Sequence, residues 1–261
     1  MMDHYHRLYL PEGPEGDYAH VAVAQGGVEP EGQVYDFHTH HRAQLFMIVS
    51  GALRLETETG IFVVPPERAV FVPSSVRHKV TYLQNTECSY LFFKPDAVAG
   101  LTGDICVIRI TALLRALTDV FLAIPLADAG GGRANRLAAV ILDELQASPA
   151  VPLHLPMPRA PRLRAVAEEM REDPGGDWSL SRVAGIAARS PRSVQRDFRA
   201  ETGLGLRAWL YQAKLIRAVE QLAAGEQVGN VAFSLGYASP SAFIAGFRRA
   251  LGASPGRYFE G

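Results

Sequence analysis

The sequence predicts an α+β protein of two domains: a small antiparallel β-barrel or jelly roll followed by helices, then an all-α domain holding two helix-turn-helix units. Three observations carry this reading. Residues 20–95 are short apolar runs broken by Gly and Pro, the last 85 residues repeat one helical punctuation, and charge divides unevenly between the two halves. With 261 residues and a 48% hydrophobic composition, the chain can bury two separate cores.

The first domain is expected over residues 1–103. Val, Phe, Ile and Leu dominate its central part in strand-length runs. In "ALRLETETG", Leu53 and Leu55 alternate with Arg54 and Glu56 before a turn at Thr59-Gly60. The stretch "IFVVPPERAVFVPSS" continues in the same manner. Many short strands separated by turn signals suggest a closed barrel or double-sheet jelly roll.

After Asp104 the pattern becomes helical, and residues 104–158 are expected as a helical segment ending in a linker. Arg133 to Ala147 puts Leu137, Val140, Ile141 and Leu145 on one face, which either docks on its own barrel or meets another subunit. "SPAVPLHLPMPRAP" then reads as a Pro-rich spacer at the domain boundary.

The second domain is expected over residues 159–261. Ser190-Pro191 is followed by Phe198, Arg199, Gly203 and Trp209, and Ser239-Pro240 by Phe247, Arg248, Gly252 and Tyr258 at the same offsets. Ser caps a helix N-terminus through its hydroxyl, and Pro fits the first helical turn because its missing N–H has no intrahelical partner there. Each unit therefore starts a helix. Short helical segments, Leu180 to Ala187 and Val228 to Leu235, precede them, so each pair forms a helix-turn-helix whose second member suits a DNA major groove. Between the units, Leu206, Trp209, Leu210, Ala213, Ile216, Val219 and Leu222 recur at helical spacing. That connecting helix would be roughly 28 Å long, against the roughly 34 Å between successive major grooves on one DNA face.

Net charge is only -1, yet Lys and Arg number 12 against 17 acidic residues in positions 1–160 and 14 against 10 in positions 161–261. This is the pattern of a basic module for polyanions joined to an acidic module with another task. Cys88 and Cys106 lack metal-type spacing and read as packing residues. No apolar run approaches the roughly 20 residues that span a bilayer, and "MMDHYHRLYLPEG" lacks a signal-peptide core. A cytoplasmic protein without a membrane partner is expected.

The stretch from Trp178 to Phe259, with "SVQRDFRAETG" and "LGYASPSAFIAGFRRALGASPGRYF", resembles the DNA-binding domain of the AraC/XylS transcription regulators. The resemblance implies that the helix opened by Ser190 presents Arg192, Gln195 and Arg196 to base edges. These types suit that task, since Arg pairs with guanine O6/N7 and Gln with adenine N6/N7. On the helix opened by Ser239, the matching positions are Ser241, Ile244 and Ala245, suited to thymine methyls or to docking, while Arg248 and Arg249 would meet phosphates. Ala188 stands where the family usually has a turn Gly. The implied partners are an operator in double-stranded DNA, a small-molecule or metal effector, RNA polymerase and a second copy in a homodimer.

In the strand-rich half, Gly32, His38-Thr39-His40, Gln44 and Gly51 are spaced as in the first cupin motif, with Gln for its usual Glu. Pro73, Ser75 and His78 resemble the second, with Ser for Gly and Tyr82 for its Asn. In cupins such positions line the barrel and bind a divalent metal. Residues two apart on a strand face one side, so His38 and His40 can converge, His41 should face away, and His78 can come opposite on a neighbouring strand. His38, His40, His78 and Gln44 would suit Zn, Ni, Fe, Mn or Cu, more weakly than with a carboxylate ligand. Two other readings stand beside the metal: a metal-free ligand pocket, and polar residues left in a degenerate cupin. His4, His6, His20 and His154 have no such context and read as surface residues.

Three imidazoles can also activate water or oxygen, so a metal-dependent cupin enzyme fused to a DNA-binding domain is the alternative function. Against it, the motif carboxylate is missing, Asp36 and Glu56 are poorly placed to replace it, and there is neither a Gly-rich phosphate loop nor a nucleophile elbow. The expectation is a regulator without catalysis.

Overall fold

The computed structural model describes residues 19–101 and 103–259; His4 and His6 lie outside them. The strands fall into two antiparallel sheets and precede an all-helical C-terminal region, the fold class expected from sequence. Two compact units result, one of residues up to Leu53 with Val64–Val151, the other of Arg54–Val63 with Pro152–Gly261. No helix among the described residues is long and apolar enough to cross a membrane.

In the first unit, β1 (Ala22–Glu29), β3 (Ala43–Ser50), β6 (Arg68–Val72), β8 (Thr86–Phe93) and β9 (Cys106–Arg109) form a sheet of order β1-β8-β3-β6-β9. The central strand β3, AQLFMIVS, is buried over its first six residues, as a strand covered on both faces must be. β2 (Val34–His38) pairs antiparallel with β7 (His78–Tyr82), Tyr35 opposite Val80 and His38 opposite His78. An extra residue bulges from β2 between those two pairs, so that His38 rather than Phe37 stands across from His78. Gly51 follows β3 with φ +80°, and a Cβ there would lie 2.6 Å from both the Asn85 carbonyl oxygen and Thr86 Oγ1. Only glycine fits.

Helices α1 (Ala112–Leu122) and α2 (Gly132–Ala147) are not a separate segment. Leu114, Phe121, Ala134, Ala138, Ile141 and Leu145 share one buried cluster with Ala22, Leu45, Met47, Phe71 and Leu91 of the sheet. The predicted face of α2 thus docks on its own domain through Ile141 and Leu145, whereas Val140 is 41% exposed.

In the second unit, a hairpin of β4 (Leu53–Glu56) and β5 (Gly60–Val64) turns where expected, Thr57 Oγ1 accepting from the Gly60 N–H at 3.0 Å. The Pro-rich stretch is no free spacer, because β10 (His154–Pro156) pairs with β5 and Leu153, Leu155 and Met157 are buried. Their period-two spacing is a strand signal, and prolines are tolerated on an edge strand. His154, expected at the surface, is half-buried and stacks on Phe62 at 4.2 Å. His20 is also half-buried, while His41 is exposed.

Among the described residues, seven helices complete this unit: α3 (Pro161–Glu172), α4 (Leu180–Ile186), α5 (Pro191–Thr202), α6 (Leu206–Ala223), α7 (Val228–Ser234), α8 (Pro240–Leu251) and α9 (Pro255–Phe259). Ser190 Oγ accepts from the Ser193 N–H and Ser239 Oγ from the Ala242 N–H, each at 3.2 Å, so both punctuating serines are N-caps. Gly203 and Gly252 end the same helices at φ +73° and +84°. The repeated aromatics also have a structural reason: Phe198 meets Trp209 edge-on at 5.5 Å, and Phe247 meets Tyr258 edge-on at 5.3 Å. Each repeat closes its small core with one perpendicular aromatic pair.

Candidate functional site

Two sets of side chains carry chemistry, one in each unit. In the second unit the turn of each helix-turn-helix is built alike. After α4, the Arg189 N–H donates to the Ala184 carbonyl, and after α7 the Tyr237 N–H donates to the Ala232 carbonyl, both at 3.0 Å. The pivot residue is left-handed in both cases, Ala188 at φ +52° and Gly236 at φ +73°. At Gly236 a Cβ would lie 2.8 Å from the Gly175 carbonyl oxygen. Glycine is therefore required in the second turn, whereas Ala188 keeps the glycine conformation with a methyl group.

On α5, Val194 and Phe198 face the core, while Arg192, Gln195, Arg196 and Arg199 are exposed. Asp197 sits between these faces and accepts from Arg189 at 2.5 Å, Ser193 Oγ at 2.9 Å and Arg196 Nε at 2.8 Å. The Arg196 and Ser193 contacts hold its carboxyl below the usual carboxylate range. They also aim Arg196, whose side chain remains 72% exposed. On α8, Ser241, Ala245, Arg248 and Arg249 are exposed, but Ile244 is half-buried and offers less methyl surface than the sequence suggested. The capping bonds of Ser190 and Ser239 place both hydroxyls against backbone N–H groups.

The connecting helix differs in one respect from its simple amphipathic reading. Leu215, Ile216, Ala218, Val219, Glu220 and Ala223 are all buried, so its C-terminal half is enclosed on most sides. Glu220, 7% exposed, is paired with Arg54 at 3.4 Å and Arg217 at 3.3 Å.

In the first unit, His38, His40 and His78 converge until their candidate ligand atoms all lie within 4.8 Å of one another. His38 ends β2, His40 follows it in the loop and His78 begins β7. His38 and His40 therefore converge through a bulge and a loop, not as alternate positions of one strand. The Ser75 N–H donates to the His40 carbonyl at 2.8 Å, and Ser75 has φ +64° where the motif expects glycine. His38 Nδ1 lies 2.6 Å from the Asp36 carbonyl and His78 Nδ1 2.9 Å from that of Val76. Each Nδ1 is thereby the protonated nitrogen and each Nε2 carries the lone pair, the backbone bracing typical of metal-binding imidazoles. His78 is fully buried, and desolvation lowers its pKa to about 4. It is neutral at pH 7.

Gln44, on β3, is also buried, and neither its Oε1 nor His78 Nε2 has a hydrogen-bond partner. His38, His40 and Gln44 line a cavity of 150 Å³ whose other walls are Gln25, Glu29, Tyr35, Phe46, Val80, Tyr82, Tyr90 and Phe92. Sequence reading missed Glu29, Tyr35 and Tyr90. The Tyr35 and Tyr90 hydroxyls donate to Glu29 at 3.1 and 3.4 Å, and Tyr82 and Tyr90 share a bond of 2.8 Å. Cys88 donates to the Tyr90 oxygen, and burial pushes its thiol up to about 12, so it is a packed, protonated side chain. Cys106 is half-buried with its thiol also raised by desolvation. Asp36 is exposed and accepts from the Phe37 N–H, and Glu56 pairs with Arg54, so neither supplies a base to the histidines.

Two capped reading helices joined by one long helix, carried with a β-sheet sensor-type domain, define a helix-turn-helix transcription regulator. Residues 183–261 match the helix-turn-helix domain family. The chain is 35% identical over 255 residues to the HTH-type transcriptional regulator NimR of Escherichia coli (strain K12), covering 97% of this chain and 93% of that protein. It is 38% identical over 101 residues to the RCS-specific HTH-type transcriptional activator RclR of the same organism, covering 38% of this chain and 36% of that protein. Among solved structures, the DNA-binding domain of AdpA in complex with a target DNA is 31% identical, covers 38% of this chain and 90% of that one, and has a TM-score of 0.35. The chain belongs to the AraC-type family of HTH transcriptional regulators.

Proposed function

We propose that the first unit is the sensor of this DNA-binding regulator, and that its histidine cluster holds a divalent metal ion, Zn, Ni, Fe or Mn, beside an effector cavity. One observation carries the reading: three imidazoles converge, Gln44 lines the same cavity as His38 and His40, and the buried His78 Nε2 and Gln44 Oε1 have no hydrogen-bond partner. Buried polar atoms are normally satisfied, and those that are not call for a ligand. His38, His40, His78 and Gln44 would hold the ion, which would supply a fixed positive charge at the histidine end of the cavity. The cluster reads as a sensor without turnover, because Glu29, the one carboxylate lining the cavity among the described residues, is engaged by two tyrosine hydroxyls.

Arg192, Gln195 and Arg196 are assigned to base edges, Ser241 and Ala245 to the second groove, and Arg248 and Arg249 to phosphates. Effector binding that favours one of two conformations would then shift the DNA-binding population. The exposed Leu113, Val120 and Val140 on α1 and α2 support a homodimer, and the regulator role supports a cytoplasmic location and RNA polymerase as a partner.

Elemental analysis of protein purified without an affinity tag tests the metal assignment. Close to one divalent ion per chain is expected, lost in His40→Ala and held more tightly in Gln44→Glu, which adds an anionic ligand. A folded wild-type protein that takes up none of Zn, Ni, Fe or Mn would contradict it and leave the histidines lining an organic pocket.

A further inference from the structure

The geometry points to a small organic cation, such as a protonated amine or amidinium, as the effector class admitted by the cavity, with Glu29 selecting the charge. This inference rests on the reading of the cavity as the effector site, and it is made and tested for the metal-free, EDTA-dialysed protein.

The walls are largely aromatic: two pairs of lining rings cross near right angles, while Tyr90 and Phe92 lie within 15° of parallel. Tyr35 and Tyr82 cross at 77° with centroids 6.2 Å apart, and Phe46 and Tyr90 cross at 70° with centroids 5.3 Å apart. Aromatic faces attract cations through their quadrupole, and walls at right angles surround one. The polar atoms add to this preference. Tyr35 and Tyr90 spend their hydroxyl protons on Glu29, and with the Tyr90 proton so used, Tyr82 donates to the Tyr90 oxygen. The Tyr90 oxygen, which also accepts from Cys88, is then fully used, and the Tyr35 and Tyr82 hydroxyls have given up their protons and keep acceptor lone pairs.

Gln44 Oε1 is a further acceptor, buried without a partner. Glu29 is the one carboxylate among the lining residues, and they include no Lys or Arg. A carboxylate accepts at about four lone-pair positions, so two tyrosine bonds leave room for a charged donor. An anion would meet a carboxylate and the negative faces of the aromatic rings. Size narrows the class further: a cavity of 150 Å³ is about what one benzene-sized molecule fills.

The test uses the full chain and three probes of similar size and different charge: benzylamine, benzyl alcohol and benzoate, measured by titration calorimetry and thermal shift. Benzylamine should bind at least about tenfold tighter than benzyl alcohol, as a charge-assisted contact in an aromatic box requires, and benzoate should not saturate. Glu29→Gln, nearly isosteric, should remove the advantage of the amine while leaving benzyl alcohol within about twofold. Equal or tighter binding of benzyl alcohol or benzoate by the wild type overturns the charge selection while the effector site stands. The same holds if the amine preference survives in Glu29→Gln. Binding of none of the three at millimolar concentration overturns both. The wild-type comparison decides even if the variant fails to fold.

Discussion

Arg196 Nε donates to Asp197 Oδ1 at 2.8 Å on the exposed side of the first reading helix. The guanidinium is thus held by its own helix, with Nη2 also donating to Ser193 Oγ at 3.4 Å, while the side chain stays largely exposed. If Arg196 reads a base as proposed, a planar fork held in this way would be prepared for a guanine edge before DNA arrives.

Arg196→Ala is expected to weaken specific binding roughly ten- to a hundredfold and to relax preference at one base position. Asp197→Ala should cost less, because the fork remains but is no longer held. Arg249→Ala should weaken all sequences alike and lower the salt slope by about one. Competition binding against single-base operator variants separates the three. Unchanged base preference in Arg196→Ala would show that another side chain reads that position.

Of the three described non-glycine residues with left-handed backbones, Glu67, Ser75 and Ala188, two stand where glycine is expected. Ser75 at φ +64° and Ala188 at φ +52° both occupy the left-handed region where their families expect Gly. Ser75→Gly and Ala188→Gly should each stabilise the chain by about 1 kcal/mol, less the entropy glycine adds to the unfolded state. Urea midpoints test this. Destabilisation at Ala188 would mean that its methyl packs usefully in the turn.

These two positions also show what was legible in the sequence. Caps, turns and the duplicated aromatic pairs act locally, so Ser190, Ser239, Gly203 and Gly252 announced their roles through residue type and spacing. The bulge that turns His38 toward His78 depends on pairing with a distant strand and had no local signature. Glu29 and Tyr90 were missed for the same reason: they lie on β1 and β8, 61 residues apart. The period-two series Gln44 and Phe46, Val80 and Tyr82, Tyr90 and Phe92 was nevertheless available, and it marks much of the cavity wall. The Pro-rich stretch misled because its prolines were weighed above the alternation of Leu153, Leu155 and Met157.

His78 gives the metal-free protein a defined acid sensitivity. Its buried ring stays neutral down to about pH 4, whereas the unfolded chain protonates it near 6.5, so the unfolded state binds more protons in between. Stability should be full above about pH 6.5 and fall through the window down to pH 4, by up to about 3 kcal/mol from this group. Chemical denaturation of EDTA-dialysed protein at pH 7 and pH 5 measures it. His78→Leu should flatten that part of the profile, and an unchanged slope would place the acid sensitivity elsewhere.

Glu220 is a buried charge held by Arg54 and Arg217. Both arginines retain solvent contact, which limits the penalty of losing their partner. Glu220→Ala should therefore destabilise the second unit by about 1 to 2 kcal/mol, with Glu220→Gln milder because it keeps an acceptor. Thermal unfolding of the two variants checks the order, and a neutral Glu220→Ala would show that the bridge adds nothing to stability.

Sequence-specific DNA reading is tested most directly by the ratio of affinities of the full chain for an operator mapped in its own genome and for a scrambled duplex of equal length at one fixed salt concentration. A ratio of about a thousand or more is expected if α5 and α8 read base edges. A ratio near one, with both affinities falling together as salt rises, would mean that the two helices bind phosphate alone and would contradict the account.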